Sequence, residues 1–107
     1  MEKSLESIIK KSDRLLSAKL KRQILKERFD ADITFGFNGG IFKIDTQLIS
    51  YVNVLLSLGK QQNVILLDVN KNPVVVEHLS QFQTDILDRY FMALGRYNAG
   101  YQDLKNG

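Results

Sequence analysis

Histidine occurs once in the chain, at His78 beside Glu77, and cysteine does not occur. Without thiols there is no disulfide framework, thiolate metal site or cysteine nucleophile, and a lone imidazole does not build a His-rich zinc centre. His78 has the chemistry of a general base, but no nucleophile stands near it in a recognisable motif, so a capping or surface role is expected. Asp85 and Asp88 lie three residues apart, with Arg89 four beyond Asp85. That spacing predicts a surface ion pair on a helix, although glycosidase-type chemistry uses the same residue types in pairs. The run Asp68-Val69-Asn70-Lys71-Asn72 opens like a calcium loop. It then departs from the pattern, with Pro73 where a glycine makes the turn and Leu79 where a bidentate glutamate closes the coordination shell. A hairpin loop built on Asn and Asp turn chemistry explains the same residues. Gly36, Gly39 and Gly40 have no following G-K-[ST], and Leu58-Gly59-Lys60 lacks its upstream glycine, so neither group reads as a phosphate-binding loop. The expectation is a non-enzymatic protein with no catalytic residue, metal ligand or cofactor.

Charge offers a second kind of chemistry. The 107 residues hold 15 Lys and Arg against 12 Asp and Glu. Residues 1–28 carry nine basic and four acidic side chains, a net +5, while the remainder carries six against eight. Such asymmetry marks Lys10, Lys11, Arg14, Lys21 and Arg22 as candidate phosphate contacts, through which residues 1–28 would meet nucleic acid. A solvated helix face accounts for the same residues, because Lys and Arg are ordinary helix-surface residues. No apolar run approaches the roughly 20 residues that cross a bilayer, and Met1 leads into a charged segment. Neither a membrane partner nor export by a signal peptide is expected.

The elements that position these groups follow from periodicity. From Ser4 to about Arg28 there is no Gly or Pro, and Leu5, Ile8, Ile9, Leu15, Leu16, Leu20, Ile24 and Leu25 recur at helical offsets. This predicts an amphipathic helix longer than a small domain needs, part of whose stripe packs on another chain. Ile33, Phe35 and Phe37 then alternate into Asn38-Gly39, the pair that suits a two-residue type I′ hairpin. That turn sets Phe35 opposite Phe42 and Ile33 opposite Ile44, with Thr34, Gly36, Ile41 and Lys43 on the other face. Asp45-Thr46 caps a short helix carrying Leu48, Ile49, Val52, Leu55, Leu56 and Leu58 before Gly59 stops it. Val64–Val69 and Pro73–Glu77 read as a second hairpin; a turn at Asn70-Lys71 sets Leu67 opposite Val74 and Ile65 opposite Val76. From about His78 to Leu104 helical spacing returns, interrupted by Gly95 and Gly100. The predicted fold is α+β in the order α-ββ-α-ββ-α, with residues 1–28 a basic amphipathic arm and residues 29–107 a small domain ending in a long helix.

Phe35-Gly36-Phe37-Asn38-Gly39-Gly40-Ile41-Phe42-Lys43 and Leu66-Leu67-Asp68-Val69-Asn70-Lys71-Asn72-Pro73-Val74, followed by a Tyr-rich terminal helix, resemble small uncharacterised proteins of T4-like myoviruses of marine bacteria. The resemblance spans roughly residues 28–104 and implies a phage context, located in a virion or the host cytoplasm. The expected role is then a structural or assembly subunit of a tailed-phage virion, joined to itself or to other virion subunits through its helices. Leu5, Ile8, Leu16, Leu20, Ile24, Tyr90, Tyr97 and Tyr101 are the candidate interface residues. A nucleic-acid-binding accessory protein and a small regulator docking on a host protein are the alternatives.

Overall fold

The computed structural model describes residues 2–106, with side chains from Ser17 to Asn106. Seven elements follow one another: α1 (Glu2–Asp32), β1 (Thr34–Phe37), β2 (Gly40–Lys43), α2 (Thr46–Ser57), β3 (Gln62–Leu67), β4 (Pro73–His78) and α3 (Leu79–Asn106). The fold is therefore α+β, a long helix, two antiparallel hairpins flanking a short helix, and a second long helix.

In the first hairpin Asn38 and Gly39 both take positive φ, 47° and 82°, as a type I′ turn requires. The register is Thr34 to Lys43, Phe35 to Phe42, Gly36 to Ile41 and Phe37 to Gly40. The Ile44 N–H extends it by donating to the Ile33 carbonyl at 2.7 Å. Ile33, Phe42 and Ile44 are buried, and Thr34, Gly36, Ile41 and Lys43 are exposed.

The second hairpin differs from expectation by one residue. Leu66 lies opposite Val74, Ile65 opposite Val75 and Val64 opposite Val76. The loop is three residues, not two: the Lys71 N–H donates to the Asp68 carbonyl, the Asp68 N–H donates to the Asn72 carbonyl, and Lys71 closes the loop at φ 62°. A turn followed by a left-handed residue is the usual three-residue hairpin loop. Because side chains alternate faces, the slip turns Leu66, Val74 and Val76 inward and leaves Ile65, Leu67, Val69 and Val75 outside.

Short helix α2 has both ends satisfied. The Asp45 carboxylate accepts the Leu48 N–H at 2.8 Å, and at the other end the Gly59 and Lys60 N–H groups donate to the Leu56 and Leu55 carbonyls, each at 3.0 Å. This is a Schellman ending with Gly59 at φ 82°. Leu58 is exposed, so the buried stripe of α2 centres on Val52, flanked by Leu48, Ile49, Leu55 and Leu56.

Packing joins the hairpins to the first half of α3. Phe42 lies with Phe35, Phe37 and Phe82, at ring-centroid separations of 5.9, 6.4 and 5.5 Å, amid Ile44, Leu66, Val76, Leu79 and Ile86. Asp68 joins the hairpins to each other. Its carboxylate accepts the N–H groups of Ile41, Asn70 and Asn72, at 3.0, 2.9 and 2.8 Å, and the Val69 N–H donates to the Ile41 carbonyl. These donors hold the Asp68 carboxyl below its ordinary value, the Ile41 N–H contributing most. Gly40 allows the close approach, since a Cβ there would fall 2.5 Å from Val74 Cγ2.

Candidate assembly interface

Helix α1 does not end near Arg28 but runs on to Asp32. Its last turns belong to the domain, because Phe29 packs against Tyr90 and edge-on against Tyr97, with centroids 6.3 and 5.3 Å apart. Leu25 lies against Gly100, where the missing side chain lets the helices approach. Arg96 reaches Asp32 at 3.5 Å. Lys21 shares a cleft with Gly100, Asp103 and Leu104. These pairs make α1 and α3 antiparallel, with Lys21 already level with the last turn of α3.

An overhang follows from that register. Residues 2–18 of α1 run past the end of α3, roughly 25 Å of helix at 1.5 Å per residue. The chain accordingly spans 72 × 25 × 17 Å, and its radius of gyration is 20.4 Å. A compact domain of this length has a radius of gyration of about 13 Å, so the helical end dominates the shape.

Within the described part of α1, two apolar sets point different ways. Leu25 and Phe29 turn toward α3 and are half-buried. Leu20 and Ile24 lie about 140° and 100° around the helix from Leu25, and are 63% and 46% exposed. Leu20 thus points away from the contact that holds α1 to its own domain, while Ile24 lies at its rim and lines the cleft with Leu25, Gly100 and Leu104.

The other sequence candidates divide in the same way. Tyr90 and Tyr97 are half-buried in the α1–α3 contact, while Tyr101 is more open and lines a cleft of about 230 Å³ with Arg22, Leu25, Lys26 and Tyr97. Lys21 and Arg22 are exposed, as are Lys19, Lys26 and Arg28. Leu5, Ile8, Lys10, Lys11, Arg14 and Leu16 lie on the first half of α1, and their side chains fall outside the described residues.

Glu77, His78 and Asp85 line one cleft, with no hydrogen bond joining His78 to either carboxylate among the described residues. His78 is exposed at the end of β4, beside a cleft of about 240 Å³ lined also by Phe37, Asn38, Glu77, Gln81 and Asp85. Asp85 accepts from Gln81 Nε2 at 3.0 Å. Arg89 is not in the ion pair with Asp85 that the sequence predicts; its guanidinium lies 4.9 Å from the centroid of the Phe35 ring. There the cation gains from the ring face and from packing on an apolar side chain. Both oxygens of Asp68 accept backbone N–H groups, which is turn chemistry of the expected kind. Among the described residues no group of three or more His, Asp or Glu is placed to hold a metal ion. No described helix is long and apolar enough to cross a membrane.

Several exposed apolar residues were not among the candidates. On α3, Phe91 and Met92 point outward beside the half-buried Tyr90. On α2, Tyr51 and Val54 do so, as does Leu58 just past its end. On the second hairpin Ile65 and Leu67, 62% and 60% exposed, join Val69 and Val75, with Ile41 of β2 bonded to Val69 through the backbone. The helix residues stand out only once the buried side of each helix is known, and the hairpin residues only once its register is known. Comparison of the chain with family models, curated proteins and solved structures gives no match.

Proposed function

We propose that this chain is a non-enzymatic structural or assembly subunit that joins protein partners through α1, with a tailed-phage virion as the setting implied by the sequence resemblance. The observation that carries the reading is the overhang of α1 together with the exposure of Leu20, which points away from α3, and of Ile24 at the rim of the α1–α3 cleft. An isolated helix of about this length is marginal in water. Packing of its apolar face against another chain supplies the stability that α3 gives the rest of α1. Leu16, four residues before Leu20, continues the same spacing in the sequence.

The test is the solution mass of the wild-type chain and of the double variant Leu20→Asp, Ile24→Asp by light scattering. Assembly gives the wild type a defined multiple of 12.3 kDa and leaves the variant a folded monomer. A wild type that stays monomeric over the accessible concentration range, alone and with candidate virion partners, overturns the reading.

A second reading, nucleic-acid binding, is favoured by one observation. Lys19, Lys21, Arg22, Lys26 and Arg28 are all exposed, and none is in an ion pair among the described residues. Phosphate contact predicts that log affinity for duplex DNA falls with log salt by about 0.9 per contact. Binding that ignores salt counts against it.

A further inference from the structure

The second hairpin presents an open edge as well as an apolar face. The Asp68 N–H donates to the Asn72 carbonyl at 3.0 Å, and hydrogen-bonded pairs alternate along an antiparallel ladder. Leu66 and Val64 are therefore the bonded partners of Val74 and Val76, while the N–H and C=O groups of Ile65 and Leu67 turn away from β4. β3 is an outer strand of a two-stranded sheet, and no strand lies beyond it among the described residues. Two other edges are partly covered: Asn38 Nδ2 donates to the Val75 carbonyl on β4, and Ile41 on β2 is bonded by Asp68 and Val69.

Proteins ordinarily blunt a free edge with charge, proline, a bulge or a very short strand. Asn63, at φ 53°, interrupts the ladder at the start of β3. From Val64 to Leu67 none of these devices is present, and all of Gln62–Leu67 is uncharged.

We propose that β3 pairs antiparallel with β3 of a second copy of this chain, across a two-fold axis at Leu66, to make one four-stranded sheet from two hairpins. The geometry of the edge admits a second copy, and its lack of charge favours one over a charged foreign strand. Ile65 and Leu67 are two residues apart, so rotation about Leu66 sets Ile65 opposite Leu67 of the second copy and Leu67 opposite its Ile65. Every free backbone group of those two residues then meets its complement. An uncharged strand meets itself without repulsion and offers no ionic group by which a charged foreign strand would be chosen. The pairing also places Ile65, Leu67 and Val75 of both copies on one side, as a continuous apolar strip.

The edge alone covers less than the roughly 800 Å² per partner of a stable interface, so this contact works beside the helix contact, and the proposal rests on the assembly reading above. It adds a second surface to the same subunit.

The absence of cysteine makes crosslinking a clean test. In the proposed register the two Ile65 positions are diagonal neighbours, about 7–8 Å apart, whereas the two Val69 positions lie about 20 Å apart along the strands. Ile65→Cys treated with a short bis-maleimide gives a covalent dimer, and Val69→Cys does not. Leu67→Cys also gives the dimer, and loses it when combined with Ile65→Lys, an exposed change whose retained fold is checked by circular dichroism. Equal yields from Ile65→Cys and Val69→Cys overturn the pairing. So does an unlinked Ile65→Cys protein that light scattering shows to be assembled, a result that leaves the helix reading standing. A chain with no assembly and no crosslink overturns both.

Discussion

The hairpin β1–β2 turns on Asn38-Gly39 and β3–β4 on Val69-Asn70-Lys71, and one residue of loop length decides which side chains each hides. In the first, the hidden face holds the aromatic centre and the outer face is mostly polar or glycine. In the second, both faces are apolar, so parity alone determines that Leu66, Val74 and Val76 enter the core and Ile65, Leu67 and Val75 stay outside. A hairpin with one polar face reports its own register. One with two apolar faces depends on its loop, and here the loop depends on Asp68.

The largest effect that would break the comparison is loss of the centre both hairpins share. Phe42→Ala removes the ring packed on Phe35, Phe37 and Phe82, and is expected to cost about 3–5 kcal/mol in denaturant unfolding. Gly40→Ala attacks the joint between the hairpins, because the new methyl meets the branched, buried Val74 side chain. Overpacking of this kind costs about 1–3 kcal/mol, read as a lower unfolding midpoint with the α1–α3 contact retained.

Acid weakens the same joint by a smaller amount. The Asp68 carboxyl is held below the ordinary aspartate value of 3.8 by its backbone donors. The unfolded chain therefore takes up the proton more readily, so the contribution is full above that value and disappears as pH falls through the lower folded value. Asp68→Asn is expected to flatten this part of the stability profile; a profile unchanged by the substitution would remove Asp68 from the account. The smallest expected effect is a gain. Lys71 holds φ 62° with a side chain, and Lys71→Gly relieves that conformation, raising stability by about 0.5–1 kcal/mol. A loss on this substitution would show that Lys71 contributes contacts beyond its backbone shape.

Much of the fold is legible in local signals. Asn38-Gly39 specifies the first register, Asp45 and Gly59 bound α2, and the three- and four-residue steps from Leu79 to Leu104 trace α3. The second register is not legible in this way, because Asn70-Lys71 also suits a two-residue turn. What selects the longer loop is the Asp68 carboxylate, held by donors of its own loop and by the Ile41 N–H of a strand 27 positions earlier. The end of α1 escapes for a related reason, since Phe29 continues the helix by packing on Tyr90 and Tyr97 some sixty residues later. For the candidate interface, Leu20 and Ile24 are legible as members of an apolar stripe but not as exposed, and spacing does not separate the tyrosines packed on α1 from the exposed Phe91 and Met92.

The central claim is that the overhang of α1 is completed by another chain. Amide hydrogen exchange along α1, followed over a range of protein concentrations, tests it most directly, because exchange reports the opening of each helical segment. The account predicts that residues 2–18 gain protection as concentration or a virion partner is raised, while the segment packed on α3 is protected throughout. Exchange in residues 2–18 that stays at the unprotected rate under every condition, beside a protected second half, would contradict it.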